Sequence, residues 1–214
     1  RRNGRWGVEK WTRISINETY PLHFLKTKPM KPSDRWEQTE IEMKKLRAIT
    51  PEGHILVAGS SQKFYAYFGC GEEARFHTKI IKRLRARSER PIVFRPKPSY
   101  EKRTRRANDE DGLATYGADG ISLPGTTIQR ALRGAHCLVT FASNAACDAI
   151  FNGIPAITFG PHISTPVTEH KFNMIETPKL YNDEVRQQWA QDLAYEQWTL
   201  EEMASGEAWE QLRP

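Results

Sequence analysis

Three short clusters of small, hydroxylic and basic residues stand where an apolar run breaks off. They are Gly59-Ser60-Ser61-Gln62-Lys63 after 55–58, Arg95-Pro96-Lys97-Pro98 after "PIVF", and Ala142-Ser143-Asn144 after 137–141. Small residues let backbone amides approach an anion, hydroxyls add donors, and Arg or Lys neutralises its charge. A phosphate, above all a nucleotide diphosphate, is the ligand such residues suit. Gly160, at the end of a further apolar run over 156–159, joins the same set. Each cluster also has a plain structural reading. Ser60-Ser61 can be a turn and helix cap, Arg95 and Lys97 solvated charges, and Ser143-Asn144 an N-cap. Neither GxGxxG nor GxxxxGK[ST] occurs, which disfavours dinucleotide oxidoreductases and P-loop NTPases.

Other residues offer weaker chemistry. Asp148 lies one turn beyond Asn144 on an otherwise apolar stretch, as a structural carboxylate or as a ligand contact. His162, Glu169 and His170 are the candidates for a general acid or base, against the plainer reading of polar loop residues. Asp109-Glu110-Asp111 imitates a metal-binding DxD but sits in a charged loop, where a solvated face is the expectation. The basic run 102–106 could meet a nucleic-acid backbone, with only Tyr100 nearby for stacking. Cys70, Cys137 and Cys147 form neither a CxxC pair nor a zinc pattern. No metal site is expected, and packed thiols point to a reducing compartment.

The elements that must carry these clusters read as alternating strands and helices. Residues 55–58 form a short buried strand. In "EEARFHTKIIKRLRAR", Phe76, Ile80 and Leu84 recur at helical spacing, with Glu72 and Glu73 at the N-terminal end and Arg85 and Arg87 at the C-terminal end. "PIVFRPKP" is the next strand, 119–123 a weaker one, and "TTIQRALRGA" a short capped helix ending at Gly134. Strand 137–141, a turn, a helix and strand 156–159 complete a β-α-β-α series over 54–160. This predicts an α/β fold with a doubly wound, mostly parallel, Rossmann-like sheet. Ligands of such sheets bind beyond the C-terminal strand ends, beside helix N-termini.

Around that core, 33–49 reads as a helix capped by Ser33 or Asp34, inside a proline-containing N-terminal segment 1–50. The binding domain would span 51–180, and 181–214 a helical tail broken near Trp198, where Thr199 and Glu202 spell a capping box. Net charge is +6 over 214 residues and the isoelectric point about 9.3, which suits a polyanionic partner. No apolar run approaches the roughly 20 residues of a membrane helix. No secretory signal is visible. A cytoplasmic protein, of a bacterium or of a phage in its host, is the expectation.

"FASNAACDAIFNGIPAITFGP" resembles the donor-nucleotide half of GT-B glycosyltransferases, in the capsular-polysaccharide biosynthesis and Kdo-transferase-like group. Ser143, Asn144, Asp148, Ala149, Gly153 and Pro155 follow the order of that group's S-S…E/D-A-x-x-x-G-x-P pattern, with three residues between Asn144 and Asp148. "VFRPKP" resembles its Lys-Pro-His-Pro strand end, and "LAYEQWTLEEMASGEAW" the helical end of such proteins, small phage members included. The resemblance covers roughly 54–209. It implies transfer of a hexosyl- or Kdo-type sugar from a nucleotide-sugar co-substrate, without a tightly bound cofactor or metal. Ser143, Asn144 and Arg95 would then hold donor phosphate, with Ser60-Ser61 lining the same cleft. The acceptor would be a glycan or a modified DNA base. Lys97 replaces the group's His, and Asn144 its second Ser. Residues 1–50 are too few for a second Rossmann-like domain. A reduced fold, an absent part of the chain, or a partner or second copy supplying the other wall is therefore expected. A non-catalytic nucleotide- or glycan-binding module and a DNA-binding accessory protein are the alternative readings.

Overall fold

The structure is a computed structural model that describes residues 11–15, 20, 30–47, 50–97, 116–122 and 125–213. In chain order, β1 (Thr12–Arg13) and α1 (Asp34–Glu37) precede the core. The core runs β2 (His54–Ala58), α2 (Gln62–Tyr67), α3 (Glu73–Arg85), β3 (Ile92–Arg95), β4 (Gly120–Ile121), α4 (Ile128–Ala131), β5 (Ala135–Thr140), α5 (Ala145–Phe151) and β6 (Ala156–Thr158). Two 3-10 turns follow, then α6 (Asp183–Ala194), β7 (Gln197–Trp198), α7 (Leu200–Ser205) and α8 (Glu207–Leu212). The expected α/β sheet is present: five parallel strands in the order β4-β3-β2-β5-β6.

Alternation along the strands builds the layers. On β2, Ile55 and Val57 pack with Ile80, Ile81 and Leu84 of α3 on one face. Leu56 and Ala58 pack on the other with α5 and with Trp189 and Leu193 of α6. Burying each of the three large apolar residues of α3 is worth about 1.5–3 kcal/mol. The strand order reverses direction at β2, with β3 on one side and β5 on the other. Such a reversal opens a crevice at the carboxyl ends of the strands.

Helix 33–49 is not formed. The helix stops at Glu37, because Thr39 Oγ1 donates to the carbonyl of Trp36 at 2.7 Å and Glu40 takes a left-handed φ of 56°. Ser33 does not cap it; its hydroxyl donates to the Glu37 carboxylate instead. The chain beyond runs irregularly along the end of α5, where Lys44 N donates to Phe151 O and Arg47 N to Gly153 O. The tail break is a strand, not a loop: β7 pairs antiparallel with β1. The capping box of Thr199 and Glu202 is formed. Glu169 bridges Ile157 in parallel and so covers the β6 edge. The runs 102–106 and Asp109-Glu110-Asp111 lie outside the described residues. Among those described, no helix is long and apolar enough to cross a membrane.

Candidate functional site

A cleft of about 270 Å3 opens at the carboxyl ends of β2, β3 and β5. Six residues expected at a phosphate site meet on its walls: Ser60, Ser61, Arg95, Lys97, Ser143 and Asn144. They converge because three parallel strands end together and each hands over to a turn there. Tyr20 and Phe64 form an aromatic wall, and no carboxylate is among the described lining residues.

Side chains supply several of the donors on offer. Three backbone amides at the floor are already engaged: Gly59 N donates to Arg95 O at 2.9 Å, Ser60 N to Tyr65 Oη at 2.9 Å and Ser143 N to Thr140 Oγ1 at 3.2 Å. The first amides of α5 are engaged too, Ala146 N with Ser143 O and Cys147 N with Asn144 O. Ser60 Oγ, by contrast, is buried and meets the geometry of a hydrogen bond with no partner among the described residues, a costly arrangement unless something fills it. Ser61 caps α2, accepting from Phe64 N at 3.3 Å, which leaves its hydroxyl proton free to donate. The Arg95 guanidinium is braced by Ser122 Oγ at 2.8 Å and the Thr126 carbonyl at 2.9 Å, so it is set before any ligand arrives. Lys97 is exposed.

A buried polar chain supports the floor. Tyr65 Oη, which receives the Ser60 amide, lies 3.1 Å from His77 Nε2, and Glu73 Oε1 is 3.6 Å from the same nitrogen. Burial pushes the Tyr65 phenol well above its usual range, so it stays a neutral hydroxyl. Glu73, at the start of α3 as its place beside the helix dipole suggested, is 3% exposed and turned inward.

His162 stands just behind the cleft rather than in it. It is fully buried; its Nε2 donates to Asn144 Oδ1 at 3.0 Å, and its Nδ1 accepts from Ser164 N at 3.3 Å. Asn144 thereby has its amide oxygen held by a buried donor. Its side chain does not cap α5, as the plain structural reading had it.

The remaining candidates do not line the cleft. Gln62 Oε1 accepts from Glu73 N at 2.9 Å and so joins α2 to α3, and Lys63 is exposed on α2. Gly160 lies against the Phe141 ring, where a Cβ would approach to 2.8 Å. Asp148 is half-buried in α5. Glu169 Oε1 accepts from the amides of His170 and Lys171, and His170 faces the carbonyls of Thr158 and Thr165. Tyr20, Phe64 and the Tyr65-His77 pair carried no local signal. Tyr20 reaches the cleft from more than 100 residues before Asn144, packed edge-on to His162 at 5.2 Å with Arg13 over its ring at 4.6 Å. Among the described residues, no group of three or more His, Cys, Asp or Glu could hold a metal ion.

No family model and no curated protein matches the chain. Solved structures do. Thermosulfurimonas dismutans KpsC, beta Kdo 2,7 transferase, is 16% identical with a TM-score of 0.47, over 81% of this chain and 56% of that one. Thermosulfurimonas dismutans KpsC, beta Kdo 2,4 transferase, is 15% identical with a TM-score of 0.43, over 79% and 53%. The chain thus spans about half the length of these two neighbours.

Proposed function

We propose that the cleft binds the phosphate of a nucleotide-activated sugar and that the chain is the donor-side part of a glycosyltransferase. The observation that carries the phosphate is the convergence of Arg95, Lys97 and four hydroxyl or amide side chains on a cleft with no carboxylate among its described lining residues. Among them is the unsatisfied, buried Ser60 Oγ. The sugar part of the reading rests on the pattern from Ser143 to Pro155. In the transfer, the bond from the anomeric carbon to the donor phosphate oxygen breaks, and that oxygen keeps the electron pair. The acceptor hydroxyl oxygen bonds to the anomeric carbon, and its proton leaves to a base. Arg95, Lys97 and the hydroxyls would stabilise the charge that grows on the departing phosphate, already oriented before the step. The acceptor is a glycan, and the base comes from the acceptor side: His162, Glu169 and His170 are all committed elsewhere. No tightly bound cofactor enters this scheme.

The test is a thermal-shift screen against UDP, CMP, GDP and ADP and their sugar conjugates. A ligand at 100 times its dissociation constant stabilises by about 2.7 kcal/mol. Arg95→Ala also breaks the braces to Ser122 and Thr126, so Lys97→Ala and Ser60→Ala are the cleaner controls. A shift with one nucleotide that shrinks in both supports the reading. No shift with any of them overturns it. The commitment of every candidate base favours a second reading, a binding module without turnover of its own. Nucleotide binding without donor hydrolysis or transfer to any glycan would select it.

A further inference from the structure

Helix α3 carries opposite chemistry on its two sides. Its inner side buries Ile80, Ile81 and Leu84 against the sheet. Its outer side presents Arg75, Lys79, Lys82 and Arg83, with Arg87 just past the last turn, around a shallow trough of about 560 Å3. The trough floor is made of small residues, Ala74, Thr78 and Ala86. These cations are little neutralised. The contact of Arg75 with Glu72 is 3.6 Å long between side chains 87% and 76% exposed, a geometry worth almost nothing in water. Lys79 and Lys82 have no ion-pair partner among the described residues. Arg85, which does pair, with Asp119, points away from this row.

We propose that this outer face of α3 binds the phosphodiester backbone of duplex nucleic acid, irrespective of base sequence. Charge density is the argument. From residue 75 to residue 87 the rise is about 18 Å at 1.5 Å per residue, so five cations stand roughly one per 4 Å. A duplex strand carries one phosphate per about 3.4 Å of axis. The trough between the cations is free of bulk that would hold a backbone off. A lipid surface suits the face less well, because interfacial helices insert large apolar side chains and those of α3 are spent on the sheet. Base stacking is not favoured either: Arg83 already lies over the Phe172 ring at 4.3 Å, and no exposed aromatic residue shares the face among the described residues. The face is separate from the cleft, and the proposal stands independently of sugar transfer.

The experiment is fluorescence anisotropy with a labelled random-sequence duplex of about 20 base pairs, titrated from about 50 to about 200 mM KCl. Lys79→Glu/Lys82→Glu is compared with a charge-matched control on other surfaces, Lys45→Glu/Arg133→Glu; unchanged melting temperatures confirm that both variants fold. Micromolar binding with a log-log salt slope near −4 is expected for the parent protein. The α3 variant should lose at least ~30-fold in affinity and flatten the slope by about 2. The control should stay within about 3-fold of the parent, as charges far from the ligand do at this screening. Equal losses in both variants, or no binding at the lowest salt, overturn the proposal. So does preferential binding of heparin or of vesicles containing phosphatidylglycerol, which would assign the face to an acidic glycan or a lipid surface.

Discussion

The imidazole of His162 donates to Asn144 Oδ1 at 3.0 Å, across 18 residues of chain and from a fully buried position. It joins the two ends of the strand-helix-strand unit: Asn144 opens α5, and His162 follows β6. Nδ1 is held from behind by Ser164, so the ring has one tautomer available and Asn144 one orientation. Asn144→Ala is expected to cost about 1 kcal/mol of stability, the low end for a buried donor that loses its acceptor, since the Asn144 side is exposed and water can take the acceptor's place. Nucleotide affinity should fall about 10- to 150-fold, the loss of one hydrogen bond to a charged group. His162→Phe keeps the volume but strands Ser164 without its partner, and should cost about 1–3 kcal/mol of stability as well as affinity. Thermal melts with and without ligand separate the two effects. An Asn144→Ala protein that binds as well as the parent would remove Asn144 from the site.

Gly153 holds the turn between α5 and β6 with φ of 72°, and a Cβ there would overlap the carbonyl oxygen of Lys45. Backbone conformation and packing both demand glycine. The same residue accepts from Arg47 N at 2.9 Å, which pins the segment after α1 to the core. Gly153→Ala is expected to cost about 3 kcal/mol or more, in the range of a strained backbone with an overlap added. Gly125→Ala, also at positive φ but with nothing within 4 Å of its Cβ, should cost only about 1 kcal/mol. Equal melting temperatures for the two variants would show that the Lys45 overlap relaxes freely.

The sheet was legible because buried parallel strands are continuous apolar runs, and 55–58, 92–95 and 137–141 are such runs. Six cleft residues were legible for the same reason, since a run that ends in small or basic residues marks a strand end. Direction was less legible. Gln62 and Gly160 belong to the same clusters, yet one caps α3 and the other packs on Phe141. The false helix over 33–49 has a physical cause as well. Trp36, Ile41 and Leu46 recur every five residues, and the Thr39 hydroxyl ends the helix by a bond no composition reveals. Tyr20 and the Tyr65-His77-Glu73 chain depend on contacts that only the finished fold creates.

His136 makes stability depend on pH. It is 1% exposed; its Nε2 donates to Ile175 O at 2.8 Å, and its Nδ1 is buried with no partner among the described residues. Burial holds its pKa below the usual 6.5, and nearby Arg90 lowers it further against the pull of the Ile175 carbonyl and Glu176. His54 is depressed in the same way, by burial first and by Arg47. The unfolded chain therefore binds more protons just below pH 6.5, so stability rises with pH there. The contribution is fully present above the unfolded value and is lost as pH falls from it through the folded one. The melting temperature should drop between about pH 7.5 and about pH 5.5. His136→Gln, which keeps a donor for Ile175 and removes the titration, should shallow that drop. An unchanged slope would place the dependence on other groups.

Arg35 ties the segment before the core to the tail, and its removal should loosen both. It is 8% exposed; Nη1 donates to Gln197 O at 2.6 Å, and Nη2 pairs with the Glu202 carboxylate. Trp198 and Tyr195 flank the guanidinium at 4.9 and 5.2 Å. Glu202 is the same residue that closes the capping box on Thr199. Arg35→Ala leaves that carboxylate with a lost partner in a largely buried place, and a cost of about 3–5 kcal/mol is expected. Arg35→Met keeps the contact with the two rings and should cost less. Glu202→Gln alone should cost about 1–2 kcal/mol through the weakened cap and pair. The Arg35→Met/Glu202→Gln double variant should lose less than the two single losses added, because each single change already breaks the shared pair. Chemical denaturation of the four proteins measures the coupling directly, and strict additivity would show that the pair contributes nothing to the attachment of the tail.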